Sequence, residues 1–180
     1  MIAGVDEVGR GPLAGPVIAC ACILQEEIPG IKDSKLLSSK KRKSLYEIII
    51  KRADYSIGIV ENNVIDKINI LQATLLAMKN AIFSLKIPPS LVLVDGPYEI
   101  PGIPYKQKAI VRGDRNEHSI GAASIIAKVV RDRIMEGYDK IFPNYGFAKH
   151  KGYPTKEHIS AIKKYGITEI HRRSFKWKHH

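Results

Sequence analysis

Gly4-Val5-Asp6-Glu7-Val8-Gly9-Arg10-Gly11-Pro12, near the start of the chain, sets two carboxylates between an apolar lead and a glycine-rich bend. The apolar lead predicts a strand, and the glycines with Pro12 predict a tight turn directly after it. Because side chains alternate along a strand, Asp6 and Glu7 are expected to point to opposite faces. The glycines allow close backbone approach to a ligand, and Arg10 offers bidentate recognition of a phosphate. Acids beside a phosphate-binding turn predict that cations lie between the two.

The overall composition predicts one folded domain with a polyanionic partner. The chain has 180 residues, 44% of them hydrophobic, which suits a single domain with its own core. Its formal net charge is +11, and residues 140–180 carry ten lysines and arginines against two glutamates. We therefore expect a nucleic-acid backbone to bind there. A solubilising surface or an anionic-membrane contact are the alternatives, although no apolar run approaches the roughly 18 residues of a membrane-spanning helix.

Two further features bear on the compartment. Acidic residues occur as early as Asp6, which argues against a signal peptide. Cys20 and Cys22 alternate on a predicted buried strand and face the same way, and a disulfide between them would be strained. We interpret both as small core residues and expect a cytoplasmic protein.

Apolar periodicity predicts an α/β domain. The continuous apolar run Val17–Leu24 predicts a central strand buried on both faces and joined to the first strand by a hairpin. Leu91–Val94 predicts a short buried strand that ends on Asp95, and ligands commonly bind at the carboxyl end of such a strand. Further strands are predicted at about 55–60 and 106–111, and helices at about 39–52, 69–85, 120–137 and 156–165.

Acidic residues end predicted strands or turns at four positions, namely Asp6, Glu7, Asp95 and Asp114. Four carboxylates gathered in one place would repel one another unless cations neutralised them. Mg²⁺ and Mn²⁺ suit such ligands, and two ions about 3.5–4 Å apart can activate a water and stabilise a leaving oxygen. The residues alone leave another interpretation open, because Asp95 could be a turn residue and Asp114 a helix cap.

Several motifs, in order along the chain, resemble the type 2 ribonucleases H, and bacterial ribonuclease HII in particular. They are Asp6–Pro16, Asp33–Ser38, Ile68–Thr74, Val94–Gly96, Gly113–Asp114 with Ser119–Lys128, His150–Tyr153 and His171–Phe175. The resemblance covers essentially the whole chain. It implies a ribonuclease H-like fold in residues 1–180, a mixed five-stranded sheet flanked by helices with a helical, basic C-terminal part at about 140–180.

The same resemblance implies a site. In ribonuclease HII the acids at the matching positions form the metal site, which implies that the four acids hold two Mn²⁺ or Mg²⁺ ions and are catalytic. It also implies that Gly9-Arg10-Gly11 senses the 2′-hydroxyl of a ribonucleotide, and that Tyr153 packs against the sugar on the DNA side of the junction. Lys35 is similar to a family residue near the substrate phosphate. On residue type alone these would be a hairpin bend, a core or surface aromatic and a solvated lysine.

The remaining basic and polar residues are weaker candidates. We expect Arg172, Arg173 and Lys176 to contact the nucleic-acid backbone without reading its sequence. Ser124 and Lys128 could belong to the site, or Ser124 could serve helix packing. The spacing of three histidines matches no zinc pattern, so we expect them to touch phosphate or to support the fold: His150, His158 and His171. The chain departs from the family pattern at Val8, Pro97 and Gly121, none of which removes a ligand.

The resemblance implies an endonuclease that cuts on the 5′ side of ribonucleotides embedded in duplex DNA and within RNA–DNA hybrids. The products would carry 3′-hydroxyl and 5′-phosphate ends, and the work would be removal of misincorporated ribonucleotides and RNA primers. A nucleic-acid partner, a monomeric state and a possible contact with a replication clamp or polymerase are expected. Two rival functions remain, namely another two-metal nuclease such as a junction resolvase, and a non-catalytic duplex-binding protein that would explain the charge alone.

Overall fold

The computed structural model describes residues 1–31 and 38–176, and its centre is one mixed sheet. The strands are β1 (Ile2–Val8), β2 (Val17–Leu24), β3 (Ala53–Val60), β4 (Leu91–Asp95) and β5 (Lys106–Ile110). Their order across the sheet is β3-β2-β1-β4-β5. The pairs β1–β2 and β2–β3 are antiparallel, whereas β1–β4 and β4–β5 are parallel. The predicted mixed five-stranded sheet and the hairpin are confirmed.

The described residues also form seven helices: α1 (Ser39–Arg52), α2 (Asn62–Ile68), α3 (Ile70–Phe83), α4 (Gly113–Asn116), α5 (His118–Ile141), α6 (Phe147–His150) and α7 (Lys156–Tyr165). The prediction of a helix from about residue 69 missed α2 before it. Asn69 separates the two because its backbone is left-handed, with φ of 69°, and its side chain accepts a hydrogen bond from the Gln72 amide. None of these helices, in the described ranges, has the length and apolar character needed to cross a membrane.

Both faces of the sheet are covered, as the apolar run of β2 predicted. On one face, Ala19 and Ala21 of β2 pack with α3 in the first core cluster. On the other, Ile18, Cys20 and Cys22 pack with α1 and α5 in a second cluster. The two cysteines are fully buried and not disulfide-bonded, and they share a face. Layers of helix, sheet and helix therefore bury the central strands and leave the ends of those strands to form the site.

The C-terminal part packs against the far end of α5 and the turn after β1. A third cluster joins Ala14 and Met135 to Tyr145, Phe147 and Ile170. Backbone hydrogen bonds fasten the same region, since the Gly15 amide donates to the Ile170 carbonyl. The basic C-terminal part thus lies directly behind the glycine-rich turn.

Candidate active site

The predicted acids lie where two central strands end. Because β1 and β4 are parallel and pair Val5 with Val94, Asp6 comes level with Asp95 at the carboxyl ends of the strands. Asp114 arrives from the next crossover, in the first turn of α4 after β5. Its backbone amide donates to Oδ1 of Asp95 over 3.3 Å, which ties the short helix to the end of β4. Three separate segments therefore deliver carboxylates to one end of the sheet.

The acids line two adjoining cavities. The first, of about 360 Å³, is lined by Asp6, Glu7 and Asp95 together with Ser124, Lys128, Val8, Arg42 and Ile125. The second, of about 260 Å³, is lined by Glu7, Asp95 and Asp114 with both Arg10 and Arg112 on its wall. Strand alternation predicted opposite faces for Asp6 and Glu7. Both reach the first cavity, because it wraps around the end of β1, but only Glu7 also reaches the second.

The electrostatics of the site disfavour bare carboxylates. Burial raises the pKa of Asp6 well above its ordinary value, and the charges of Glu7 and Asp95 raise it further, while a hydrogen bond with Ser124 opposes the rise. Burial also raises the pKa of Glu7, and Arg10 opposes that shift across a 3.8 Å ion pair. A bound divalent cation would relieve both the desolvation and the repulsion.

The four carboxylates are suitable ligands for a hard cation, although their side chains do not converge on one point. Among the described residues, no three histidine, cysteine, aspartate or glutamate side chains converge as a formed metal site. The acids nevertheless supply only carboxylate oxygens, which suit Mg²⁺ or Mn²⁺ better than Zn²⁺, whose sites commonly include His or Cys. Asp6 is 5% exposed and Asp114 1% exposed, so charge on either side chain needs a compensating positive group.

The glycine turn, residues 9–11, lies beside the predicted tyrosine. Gly9 has a left-handed backbone with φ of +94°, and a Cβ there would lie 2.3 Å from Nε of Arg131. Arg10 and Gly11 are exposed. A Cβ on Gly11 would lie 3.5 Å from Cε1 of Tyr153, whose side chain is half-exposed. The two predicted substrate-recognition elements therefore share one surface next to the second cavity.

Arg172 does not lie where the sequence predicted. It is 2% exposed, and its guanidinium donates to the carbonyl oxygens of Gly9, Arg10 and Gly15 at 2.5, 3.0 and 3.0 Å. The prediction treated it as a surface contact for a phosphate, but the guanidinium is turned inward onto the turn. Arg173 and Lys176 are exposed, as a phosphate contact requires. Lys35 lies outside the described residues.

Sequence reasoning also missed Arg131, which is fully buried on α5. Its guanidinium donates to the carbonyl oxygens of Ala14, Pro16 and Lys151. One signal could have found it: Arg131 follows Ala123 and Ala127 at helical spacing, so it continues the buried stripe of α5. An arginine on a buried stripe predicts an inward hydrogen-bonding role.

The three histidines form a buried stack that supports the fold. The rings of His150 and His158 stack with centroids 4.4 Å apart, and Nε2 of His158 lies 3.0 Å from Nε2 of His171. The Thr168 amide donates to Nδ1 of His171, so that ring carries its proton on Nε2 and donates to His158. Burial lowers the pKa of His158 and of His171 to about 4. Of the two expectations for these residues, the stack favours support of the fold.

The mixed five-stranded sheet, at whose end the acids lie, superposes on solved structures of the ribonuclease H class of nucleases. More narrowly, the chain belongs to the ribonuclease HII family, whose model matches residues 3–178. It is therefore a hydrolase with ribonuclease H endonuclease activity, and enzymes of this family depend on divalent metals.

Individual relatives agree with this assignment. The chain is 56% identical to ribonuclease HII of Caldicellulosiruptor saccharolyticus over 177 residues, which cover 97% of this chain and 86% of the relative. The ribonuclease HII of Archaeoglobus fulgidus, solved as a complex with PCNA, superposes with a TM-score of 0.86 at 27% identity and covers 100% of this chain and 97% of that one. Bst-RNase HIII, at 18% identity and a TM-score of 0.70 over 92% of this chain and 62% of that one, shares the fold.

Proposed function

We propose that this enzyme hydrolyses the phosphodiester on the 5′ side of a ribonucleotide embedded in duplex DNA, and of RNA paired to DNA. The products carry 3′-hydroxyl and 5′-phosphate ends. The observation that carries the proposal is the contiguity of the acids and the glycine turn. Glu7 lines both cavities and pairs with Arg10 at 3.8 Å, so a phosphodiester at the acids would place its sugar beside residues 9–11.

The four acids are the proposed holders of two divalent ions, Mn²⁺ or Mg²⁺. Bound there, such ions supply an activated water and stabilise the leaving 3′-oxygen. The chain's own residues set up that arrangement: Ser124 lines the first cavity with Asp6 and lowers the pKa of its carboxyl, and Asp95 accepts a hydrogen bond from the amide of Asp114. The Mn²⁺ in the Bst-RNase HIII structure supports this choice of metal.

Recognition of the ribonucleotide is proposed for residues 9–11 and Tyr153. Exposed backbone at Arg10 and Gly11 can approach a 2′-hydroxyl, the group that distinguishes RNA from DNA at one position. The half-exposed Tyr153 ring beside Gly11 offers a flat face for the neighbouring deoxyribose. Arg173 is proposed to contact the phosphate backbone of the nucleic acid. Lys35 is proposed to lie near the substrate phosphate.

The cellular role follows from this specificity. We propose removal of misincorporated ribonucleotides and of RNA primers in the cytoplasm by a monomer. A replication clamp is the proposed protein partner, because the Archaeoglobus fulgidus relative was solved as a PCNA complex. The rival functions predict different substrates, since a junction resolvase would cut all-DNA junctions and a binding protein would cut nothing.

The test is cleavage of a labelled DNA duplex that carries one ribonucleotide, in Mg²⁺ and in Mn²⁺. An all-DNA duplex and an RNA–DNA hybrid serve as comparison substrates. We expect a single cut 5′ of the ribonucleotide and no cut in all-DNA. Asp114→Asn should reduce the rate by at least about a hundredfold, whereas Glu99→Gln, which removes one charge from an exposed position, should not change it. Tight duplex binding without cleavage in either metal would overturn the proposal.

A further inference from the structure

Two buried arginines, Arg131 and Arg172, hold the inner side of the turn that follows β1. Arg131 is fully buried and Arg172 is 2% exposed. Their six guanidinium hydrogen bonds all end on carbonyl oxygens, at distances between 2.5 and 3.0 Å. Burial lowers the pKa of Arg131 to about 10 and that of Arg172 to about 9, so both stay charged at neutral pH. A group this costly to bury indicates a specific task.

That task follows from peptide geometry. Arg172 donates hydrogen bonds to the carbonyls of Gly9 and Arg10, which belong to two successive peptide units. No peptide bond of the described chain is cis, and in a trans peptide the N–H points opposite to the C=O. The amides of Arg10 and Gly11 therefore point away from Arg172, and both residues are exposed. Because the two carbonyls point inward, two adjacent N–H donors point outward at the surface.

The guanidinium also strengthens those donors. A peptide whose carbonyl accepts a charge-assisted hydrogen bond becomes more polarised, which makes its N–H a better donor. Lysine could not replace this fork, since an ammonium is a point charge without the planar set of donors. A single side chain thus fixes the direction of both amides and raises their affinity for an oxygen acceptor.

Arg131 supports the same arrangement from below. Its Nη1 donates to the carbonyl of Lys151 at 2.8 Å, and its Cζ lies 5.9 Å from the ring centroid of Tyr153. Its other donors hold Ala14 and Pro16. The space above Gly9 is closed to a Cβ by the Nε of Arg131 at 2.3 Å. Arg131 therefore sets the distance between the turn and the tyrosine.

We infer that Arg172 is a positioning residue for ribonucleotide specificity, which aims the amides of Arg10 and Gly11 at the 2′-oxygen, and that Arg131 holds this turn against Tyr153. The inference rests on the proposed function, in which residues 9–11 meet the 2′-hydroxyl. It assigns the inward arginines no contact with substrate. Their effect on specificity runs entirely through the backbone of the turn.

The experiment compares affinities for two duplexes of one sequence, one all-deoxy and one with a single ribonucleotide. Fluorescence anisotropy in Ca²⁺, under conditions checked for lack of cleavage, gives the ratio of the two dissociation constants. Arg172→Lys keeps the charge but not the fork, and we expect it to lower the preference for the ribonucleotide by about tenfold. Arg131→Lys should act in the same direction. Arg52→Lys, the same change at an exposed position outside the proposed site, should leave the ratio unchanged.

The outcomes separate the two proposals. A wild-type ratio near one would overturn ribonucleotide sensing itself, and the inference with it. A clear wild-type preference that Arg172→Lys and Arg131→Lys both retain would overturn the inference alone. Equal weakening for both duplexes would show that Arg172 supports duplex binding in general and not the preference for the ribonucleotide, also against the inference. Circular dichroism and thermal unfolding establish that each variant is folded at the assay temperature.

A second measurement needs no variant and covers the case in which both lysine variants fail to fold. In ¹⁵N-labelled wild-type protein, the amide resonances of Arg10 and Gly11 should shift on binding the ribonucleotide duplex. They should shift much less on binding the all-deoxy duplex. Equal shifts with both duplexes would show that these amides do not meet the 2′-oxygen.

Discussion

Replacing Gly4 by alanine tests how closely α5 must approach the sheet. Gly4 lies in the middle of β1, and a Cβ there would come within 2.2 Å of both the Ile120 nitrogen and the Ser119 carbonyl carbon. Ordinary contacts of a Cβ begin near 3.4 Å, so α5 would have to move by about 1 Å. Backbone atoms cannot rotate away as a side chain can. We therefore expect a loss near the upper end of the overpacking range, about 3 kcal/mol of unfolding free energy.

The same displacement should reach the active site. Ser124 lies one turn further along α5 and lines the first cavity together with Asp6. A Cβ on Gly121 would lie 3.0 Å from the carbonyl oxygen of Asp114, so the helix also touches the segment that carries that acid. Since a misplacement of about 1 Å can cost about a hundredfold in rate, we expect Gly4→Ala to reduce cleavage by about ten- to a hundredfold even where the protein is fully folded.

The assay combines urea unfolding with single-turnover cleavage. Gly137→Ala is the matched control. Gly137 lies in α5, the helix that Gly4 contacts, and it is exposed, with no neighbouring atom within 4 Å of its Cβ position. Helix propensity predicts that this control gains about 0.5–1 kcal/mol and keeps its activity. An unfolding free energy of Gly4→Ala within about 0.5 kcal/mol of the wild-type value, or cleavage at the wild-type rate, would refute this role of Gly4.

Three further predictions concern pH, metal and the C-terminal segment. His158 and His171 have a pKa of about 4 when folded against 6.5 unfolded, so their stabilising contribution is complete above pH 6.5 and is lost as the pH falls towards 4. After allowance for screening we expect about 2 kcal/mol less stability at pH 5 than at pH 7.5. A His158→Asn variant should lose part of this dependence, whereas an unchanged dependence would contradict it. Mg²⁺ should raise the melting temperature of the wild type but much less that of Asp95→Asn, as scanning calorimetry would measure, and equal shifts would argue against a cation at the acids. Asp66 accepts hydrogen bonds from the Arg173 amide and from the Ser174 amide and hydroxyl. Asp66→Ala should cost about 1–2 kcal/mol and speed proteolysis after α7, and unchanged proteolysis would refute that anchoring role.

Elements with a strong apolar pattern could be predicted from the sequence, and short ones could not. The run Val17–Leu24 predicted β2 at its observed bounds because both faces of that strand are buried. The helices α4 and α6 span four residues each, which is too short for a 3.6-residue period to register. The α2 helix was hidden because Asn69 breaks it from α3 with a left-handed backbone, which an apolar pattern does not encode.

The positions of some acids, but not of all, could be predicted from the ends of the predicted strands. Asp95 closes a buried strand, so its place at the carboxyl edge of the sheet followed from the pattern alone. Asp114 could have been either a cap or a ligand, since its place depends on α4 packing against the end of β4. The hydrogen bond from its amide to Asp95 is a contact between residues 19 positions apart, which local pattern cannot reveal.

Arg172 shows why composition misassigned one basic residue among many. Arginine is usually exposed, so a run of basic residues near a chain end is reasonably taken for a phosphate-binding surface. Arg172 and Arg173 are chemically identical and adjacent, yet only Arg172 meets carbonyls 157 to 163 positions earlier in the chain. Those carbonyls are available because left-handed glycines at 9 and 15 turn the backbone inward. The glycine turn that the sequence predicts as a ligand site therefore also binds the protein's own Arg172 on its inner side. Because the carbonyls of the turn point inward to Arg172, its amides point outward.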